Sequence, residues 1–246
     1  MRLTIQFEQP TITLPVNYHN LIQGWIYSIL PAEGYGSFIH DQGYRAGNRP
    51  FKLFVFSDLM GSYEIKDRQI TFKDGCTLKI GSQSEEFIQH LYQFLSMNQK
   101  AMIGHQVLNI RSMKLEELPC FKGEKEVLLR SISPVTAYST SEKKVTYFEP
   151  GSEEFEQSCL NNLKNKCSAY SLAFSPSFEI INVEYAKKRI IHFKNTFYVS
   201  YNVMLRVRVD YPTLNLIWNT GLCAKNSAGF GMINLLKEKH DIHNHE

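Results

Sequence analysis

A chain of 246 residues, 43% of them hydrophobic, can bury a sizeable core in one large domain or two small ones. Its net charge of +3 excludes a protein that grips nucleic acid through bulk charge, so any such surface has to gather its cations on one face. Cys76, Cys120, Cys159, Cys167 and Cys223 form no Cys-x-x-Cys pair and point to reduced thiols rather than a zinc site; with no leader-like apolar core and no segment able to span a bilayer, a soluble cytoplasmic protein without a membrane partner is expected.

Leu3, Ile5 and Phe7 alternate with polar neighbours as in a half-buried strand. Asn17 is placed to cap a helix from Tyr18 to about Leu30, with Leu21, Ile22, Trp25, Ile26 and Ile29 on its apolar face. Strands at 53–56, 69–72 and 77–80 follow. Ser82 or Ser84 then opens a helix over 85–99 that turns Phe87, Ile88, Leu91, Phe94 and Leu95 inward. A strand over 107–115 completes the order β-α-β-β-α-β of a ferredoxin-like domain.

After a junction at 116–123 the order begins again. Residues 127–132 read as a strand, 144–148 as a hairpin arm, and 153–170 as a helix with Phe155, Cys159, Leu160 and Leu163 on one side. Residues 178–185 and 196–210 read as a hairpin, because Phe197, Val199, Tyr201, Val203, Leu205, Val207 and Val209 alternate strictly with their neighbours. A short helix at 213–219, a glycine-rich loop and a strand at 232–236 follow. The expected fold is therefore α+β, two tandem ferredoxin-like (RRM-like) domains with antiparallel sheets, at 1–118 and 124–246.

The loop carries Gly221, Lys225, Asn226, Ser227, Gly229 and Gly231, followed by an apolar run. Glycines at positive φ let several N–H groups meet one anion, and the three polar residues add donors, a set suited to phosphate. It is not a Walker A loop, since Lys225 precedes Asn226 and a strand follows. A dinucleotide fingerprint needs its glycines between strand and helix, and the RNA-recognition signature needs a later aromatic that is missing here.

This loop resembles the C-terminal glycine-rich loop of the CRISPR-associated repeat-RNA processing endoribonucleases of the RAMP superfamily, with Cys223 standing where the pattern has a glycine. Residues 21–30 are similar to the family's first helix, which carries an active-site tyrosine. Residues 37–41 resemble the segment with its catalytic histidine, and 51–57 the strand that starts with its lysine. Residue by residue, the resemblance implies the triad Tyr27, His40 and Lys52, and the double ferredoxin-like fold as well.

Such a site needs no cofactor and no metal. The 2′-hydroxyl of RNA attacks the adjacent phosphate and leaves a 2′,3′-cyclic phosphate and a 5′-hydroxyl. A histidine moves protons near neutrality, a lysine offsets phosphate charge, and a tyrosine orients or donates. Acid and base roles for His40 both stay open. Arg206 and Arg208 share a strand face, and Arg45 and Arg49 lie between His40 and Lys52; all four are candidate RNA contacts beside the loop. His240, His243 and His245 in the tail are discounted as a metal site, and no paired carboxylates of a two-metal nuclease stand out.

The implied partner is precursor CRISPR RNA with its repeats, and other subunits of a CRISPR surveillance complex are candidates. Monomer and homodimer both stay open. The alternatives are a non-catalytic RAMP protein that holds guide RNA in that complex and an unrelated ferredoxin-like binding protein.

Overall fold

The computed structural model describes residues 1–31, 34–142 and 144–236, with the side chains of Tyr35 and His40 outside the description. His240, His243 and His245 lie outside the described residues. The first half begins with β1 (Arg2–Phe7), β2 (Thr11–Pro15) and α1 (His19–Ser28). A helical turn at Tyr35–Ser37 runs into a π-helical turn at Phe38–Gln42, then a small hairpin of β3 (Tyr44–Ala46) and β4 (Arg49–Phe51). It continues through β5 (Phe54–Phe56), β6 (Met60–Lys66), β7 (Gln69–Ser82), α2 (Glu85–Asn98), β8 (Lys100–Ile103) and β9 (Gln106–Glu116).

β1 pairs antiparallel with β7 on one side and β9 on the other, while β5 and β6 pair with β7. Ile22, Trp25 and Ile26 of α1 and Phe87, Ile88, Leu91 and Leu95 of α2 are buried with Leu3, Ile5, Leu78 and Ile80 of the sheet in one core. Ser84 caps α2 by accepting from the Phe87 N–H. Asn17 does not cap α1; that place falls to Tyr18, which makes no side-chain cap bond.

The second half comprises β10 (Glu124–Ser131), a hairpin of β11 (Tyr138–Ser141) and β12 (Lys144–Tyr147), and α3 (Glu153–Ala169). Then come β13 (Phe178–Phe193), β14 (Thr196–Asp210), α4 (Tyr211–Thr220), a 3-10 turn at Asn226–Ala228, and β15 (Ile233–Leu236). Its sheet runs β13-β14-β10-β15. In both halves the strand order is fourth, first, third, second, the antiparallel ferredoxin-like arrangement expected from the element order.

Three differences from the sequence reading have physical causes. Residues 69–72 and 77–80 belong to the single strand β7, because Asp74 and Gly75, both at positive φ, bend it without ending it. β13 runs on to Phe193, its outer reach carrying Lys187 and Lys188 rather than an apolar alternation. Leu118, at the end of the first expected domain, packs in the core of the second half.

The cysteines also differ from expectation. Cys159 of α3 and Cys223 of the glycine-rich loop form a disulfide with a Cα–Cα separation of 4.6 Å, and neither residue is exposed. Both sit among core residues of the second half, where cysteine packs as a small hydrophobe, and 64 residues of chain separate them.

Two buried polar clusters join the halves. Arg2 is fully buried; its guanidinium stacks 3.5 Å over the Trp218 ring, donates to the carbonyls of Trp218 and Ile233, and reaches Asn234 Oδ1 at 3.2 Å. Burial pulls its pKa down to about 9. In the other cluster Asp58 accepts from Arg189 of β13 at 2.8 Å and pairs with His19 Nε2 at 2.8 Å. Burial works to raise the Asp58 pKa, but His19 and Arg189 outweigh it and the carboxyl is held below its ordinary value.

Candidate active site between the two halves

The glycine-rich loop is built to be rigid. Asn226 Nδ2 donates to the carbonyls of Leu222 and Phe230 at 3.1 and 3.0 Å, closing the loop across its middle. The N–H groups of Leu222, Ala224, Gly229 and Gly231 donate to Gly231, Thr136, Asn226 and Pro134. At Gly231 (φ +78°) a Cβ would collide with the Leu222 carbonyl oxygen, and at Gly229 it would meet the Phe56 ring. These donors are thus spent on carbonyls of the loop and of the adjoining Pro134 and Thr136, unlike the phosphate cradle expected from Gly221, Asn226, Gly229 and Gly231. Hydrogen bonds within the loop satisfy its backbone because nearly all of it is buried.

What the loop presents outward is Lys225 and Ser227. Lys225 is exposed and lies 5.4 Å over the Tyr198 ring. Burial disfavours its charge, but Tyr138 and Tyr198 more than compensate, so its pKa is raised. Ser227 faces α1, where Gln23 Nε2 donates to its carbonyl at 2.7 Å and Tyr27 shares a side-chain hydrogen bond with it. Gln23 and Tyr27 are one helical turn apart, which places both on the face that meets the loop. Burial drives the Tyr27 pKa up to about 12, the Ser227 bond pulling it the other way, so the phenol is neutral near pH 7. Its ring packs edge-on to Phe54 at 5.7 Å.

A cleft of about 350 Å³ opens between the halves at this point. From the first half it is lined by Arg49, Lys52 and their neighbours to Phe54, and from the second by Tyr138, Asn162, Lys166, Thr220, Lys225, Asn226 and Ser227. Among these described lining residues four are cations and none is a carboxylate. Burial lowers the Lys52 pKa, while Asp41 pulls it up. A groove of about 1090 Å³ continues from Arg49, Tyr138 and Asn162 along α3, past Gln157, Asn161 and Asn165.

His40 lies in the π-helical turn; its side chain falls outside those described. The turn's backbone is fixed close to Lys52, since a Cβ on Gly43 would sit 3.1 Å from Lys52 Cδ. Rings anchor the same segment to the second half, Phe38 on Tyr44 at 5.2 Å and Tyr44 on Tyr170 at 4.8 Å. Tyr27 of α1 thus bonds Ser227 of the loop, and Lys52, from the segment after β4, lines the same cleft as Ser227.

Of the arginines, Arg49 lines the cleft and Arg45 is exposed on the adjacent strand. Arg206 and Arg208 are placed otherwise than expected of phosphate contacts. Arg206 donates to Glu184 at 3.1 Å, and Arg208 to Glu179 and Glu126 at 2.7 and 2.8 Å, so cross-strand carboxylates neutralise both. Asn162 and Lys166 were not singled out from the sequence. Both lie on the buried stripe of α3, three or four residues on from Cys159 and Asn162, where a polar residue interrupts an apolar face.

No helix among the described residues is long and apolar enough to cross a membrane. The family model described as "CRISPR associated protein Cas6, C-terminal" matches residues 113–235. The CRISPR-associated endoribonuclease Cas6 1 of Methanocaldococcus jannaschii is 28% identical over 250 residues, covering 97% of this chain and 94% of that protein. A solved structure described as a CRISPR associated protein Cas6 superposes with a TM-score of 0.78 at 25% identity, covering 96% of this chain and 99% of that one. A Cas6-related protein from Pyrococcus furiosus gives 0.81 at 17% identity over 97% and 99%, a likeness of fold. With half the chain matched by the family model and the same double fold, this protein belongs to the Cas6 family.

Proposed function

We propose that the protein is an endoribonuclease that cleaves precursor CRISPR RNA within its repeats, in the cytoplasm, and holds the product RNA, with subunits of a CRISPR surveillance complex as candidate partners. The observation that carries this reading is the cleft itself: cations from both halves converge on it, and the described residues lining it include no carboxylate. Such a surface suits a phosphodiester backbone. The M. jannaschii relative, an endoribonuclease by name, supports it.

In this reading Lys52 faces the scissile phosphate and offsets the charge that builds on its oxygens. His40 moves the proton between the 2′-hydroxyl, the leaving 5′-oxygen and solvent. Tyr27, with its pKa near 12 and its place fixed by Ser227, donates a hydrogen bond rather than accepting a proton. The bond from the 2′-oxygen to phosphorus forms as the bond to the 5′-oxygen breaks, giving a 2′,3′-cyclic phosphate and a 5′-hydroxyl. The nucleophile belongs to the RNA, so the protein supplies proton transfer and charge with no metal. Arg45, Arg49 and Lys225 hold flanking phosphates, and the halves at 1–118 and 124–246 act as the two walls of the cleft.

The test is incubation with the repeat RNA of its own genome in excess chelator, beside a copy 2′-deoxy at the cut nucleotide and beside the His40→Ala protein. Cleavage of the ordinary RNA alone, by the unmodified protein alone, is expected. Tight binding without cleavage would instead make the protein a guide-RNA holder and remove the roles given to Tyr27, His40 and Lys52.

A further inference from the structure

Lys166 is an ionisable group set inside the core of the second half. It lies on the apolar stripe of α3 and is 1% exposed, yet it lines the cleft. Its Nζ donates to the carbonyls of Thr220 at 3.2 Å and Gly221 at 2.7 Å, which end α4 and open the glycine-rich loop. These carbonyls are the negative end of a helix and welcome a cation. The charges that act on it include no carboxylate: Arg49 of β4 opposes its charge and the neighbouring Cys167 favours it. Among the described lining residues Lys52, Lys225 and Tyr138 are the other titratable groups beside Arg49, with Asp41 acting on Lys52 and Tyr27 bonded to Ser227. A buried ammonium facing only dipoles and like charges is costly, and an incoming anion would relieve that cost.

We propose that Lys166 is a positioning residue of the RNA site, an amine beneath the glycine-rich loop whose bonds to the Thr220 and Gly221 carbonyls hold the loop, with Ser227 and Tyr27, in place when an RNA phosphate occupies the cleft. The inference rests on the reading of the cleft as an RNA site. In the free protein burial and Arg49 bring the Lys166 pKa down to about 7, so near neutrality the group is divided between its two forms. A phosphodiester beside Arg49, Lys52 and Lys225 supplies the missing negative charge and draws a proton onto Lys166. RNA binding and proton uptake are then linked, and affinity falls as pH rises above neutrality.

The experiment is isothermal titration of uncleavable 2′-deoxy repeat RNA at pH 7 to 8.5, in buffers of different ionisation enthalpy. It compares wild type, Lys166→Met, Lys166→Arg and His40→Ala. Wild type is expected to take up roughly half a proton or more per RNA through this lysine, with affinity about tenfold weaker at pH 8.5 than at pH 7. His40→Ala removes only its own share of the uptake. Lys166→Met removes the lysine's share and flattens the pH dependence. Lys166→Arg also loses the uptake but keeps its affinity at pH 8.5, so it carries the test alone if the Met variant does not fold. Unchanged uptake and an unchanged pH slope in both Lys166 variants would overturn the proposal while leaving the RNA reading intact. A folded wild type that binds no repeat RNA would overturn both.

Discussion

The glycine-rich loop and the opposite wall of the cleft, from His40 to Lys52, look alike in sequence, each mixing glycine with polar and basic residues. Structurally they are opposites. The loop is buried apart from Lys225, stapled by Asn226 and tied through Cys223 to α3, and its N–H groups donate to carbonyls of the loop and of Thr136 and Pro134. The wall is largely exposed, with Arg45 and Arg49 on a three-residue hairpin. In the proposed reading the loop meets phosphate through Lys225, and the rest of it is the template against which the other side chains of the cleft are set.

That contrast can be broken at several points, in descending order of effect. On the wall, His40→Ala and Lys52→Ala should each slow single-turnover cleavage by roughly 10²- to 10⁴-fold while the thermal midpoint stays within a few degrees. In the loop the balance should reverse. Gly231→Val has to displace the Leu222 carbonyl and should cost about 3 kcal/mol or more in urea unfolding, with catalysis lost only as the fold is lost. Arg49→Ala should weaken RNA binding about three- to tenfold and reduce the salt slope of log K by about one, read by titration at several ionic strengths. Arg208→Ala, which removes a charge already paired with Glu126 and Glu179, should leave both affinity and salt slope unchanged in the same titration.

Titration of buried groups sharpens the comparison from another side. Lys166 has a folded pKa near 7, below the roughly 10.4 of a free lysine, so the unfolded chain binds more protons between these values. Its contribution to stability therefore rises with pH over that window, while RNA affinity falls. Thermal melts of wild type against Lys166→Met should show the wild-type slope and its loss. Asp58 acts with the same sign in a more acid window. Its folded pKa is lowered, so its clamp on His19 and Arg189 contributes above the ordinary carboxylate range and is lost as pH falls through the folded value. Asp58→Asn should flatten the acid limb of the melting curve.

Much of this was legible in the chain. Strict alternation gives β14, the i, i+3, i+4 spacing gives α1 and α2, and the element order gives both ferredoxin-like halves. Local pattern failed where its meaning depended on distant chain. Asp74-Gly75 has the form of a turn, and only the neighbouring strands show that β7 passes through it. Arg206 and Arg208 share a face as read, but the carboxylates opposite them come from β10 and β13. The Cys159–Cys223 pairing leaves no local signal, since either residue alone is an ordinary core cysteine. Lys166 did leave one: a lysine in phase with Phe155, Cys159 and Leu163 is out of place on a solvated surface.

Arg2 sets the order in which the molecule can be completed. Its partners Trp218, Ile233 and Asn234 lie 216 to 232 residues away, so two segments far apart along the chain have to meet before it is buried. Contacts of such sequence separation close late, after most of the chain entropy has been lost. Until they close, β1 exposes a cation where the finished protein has an interior.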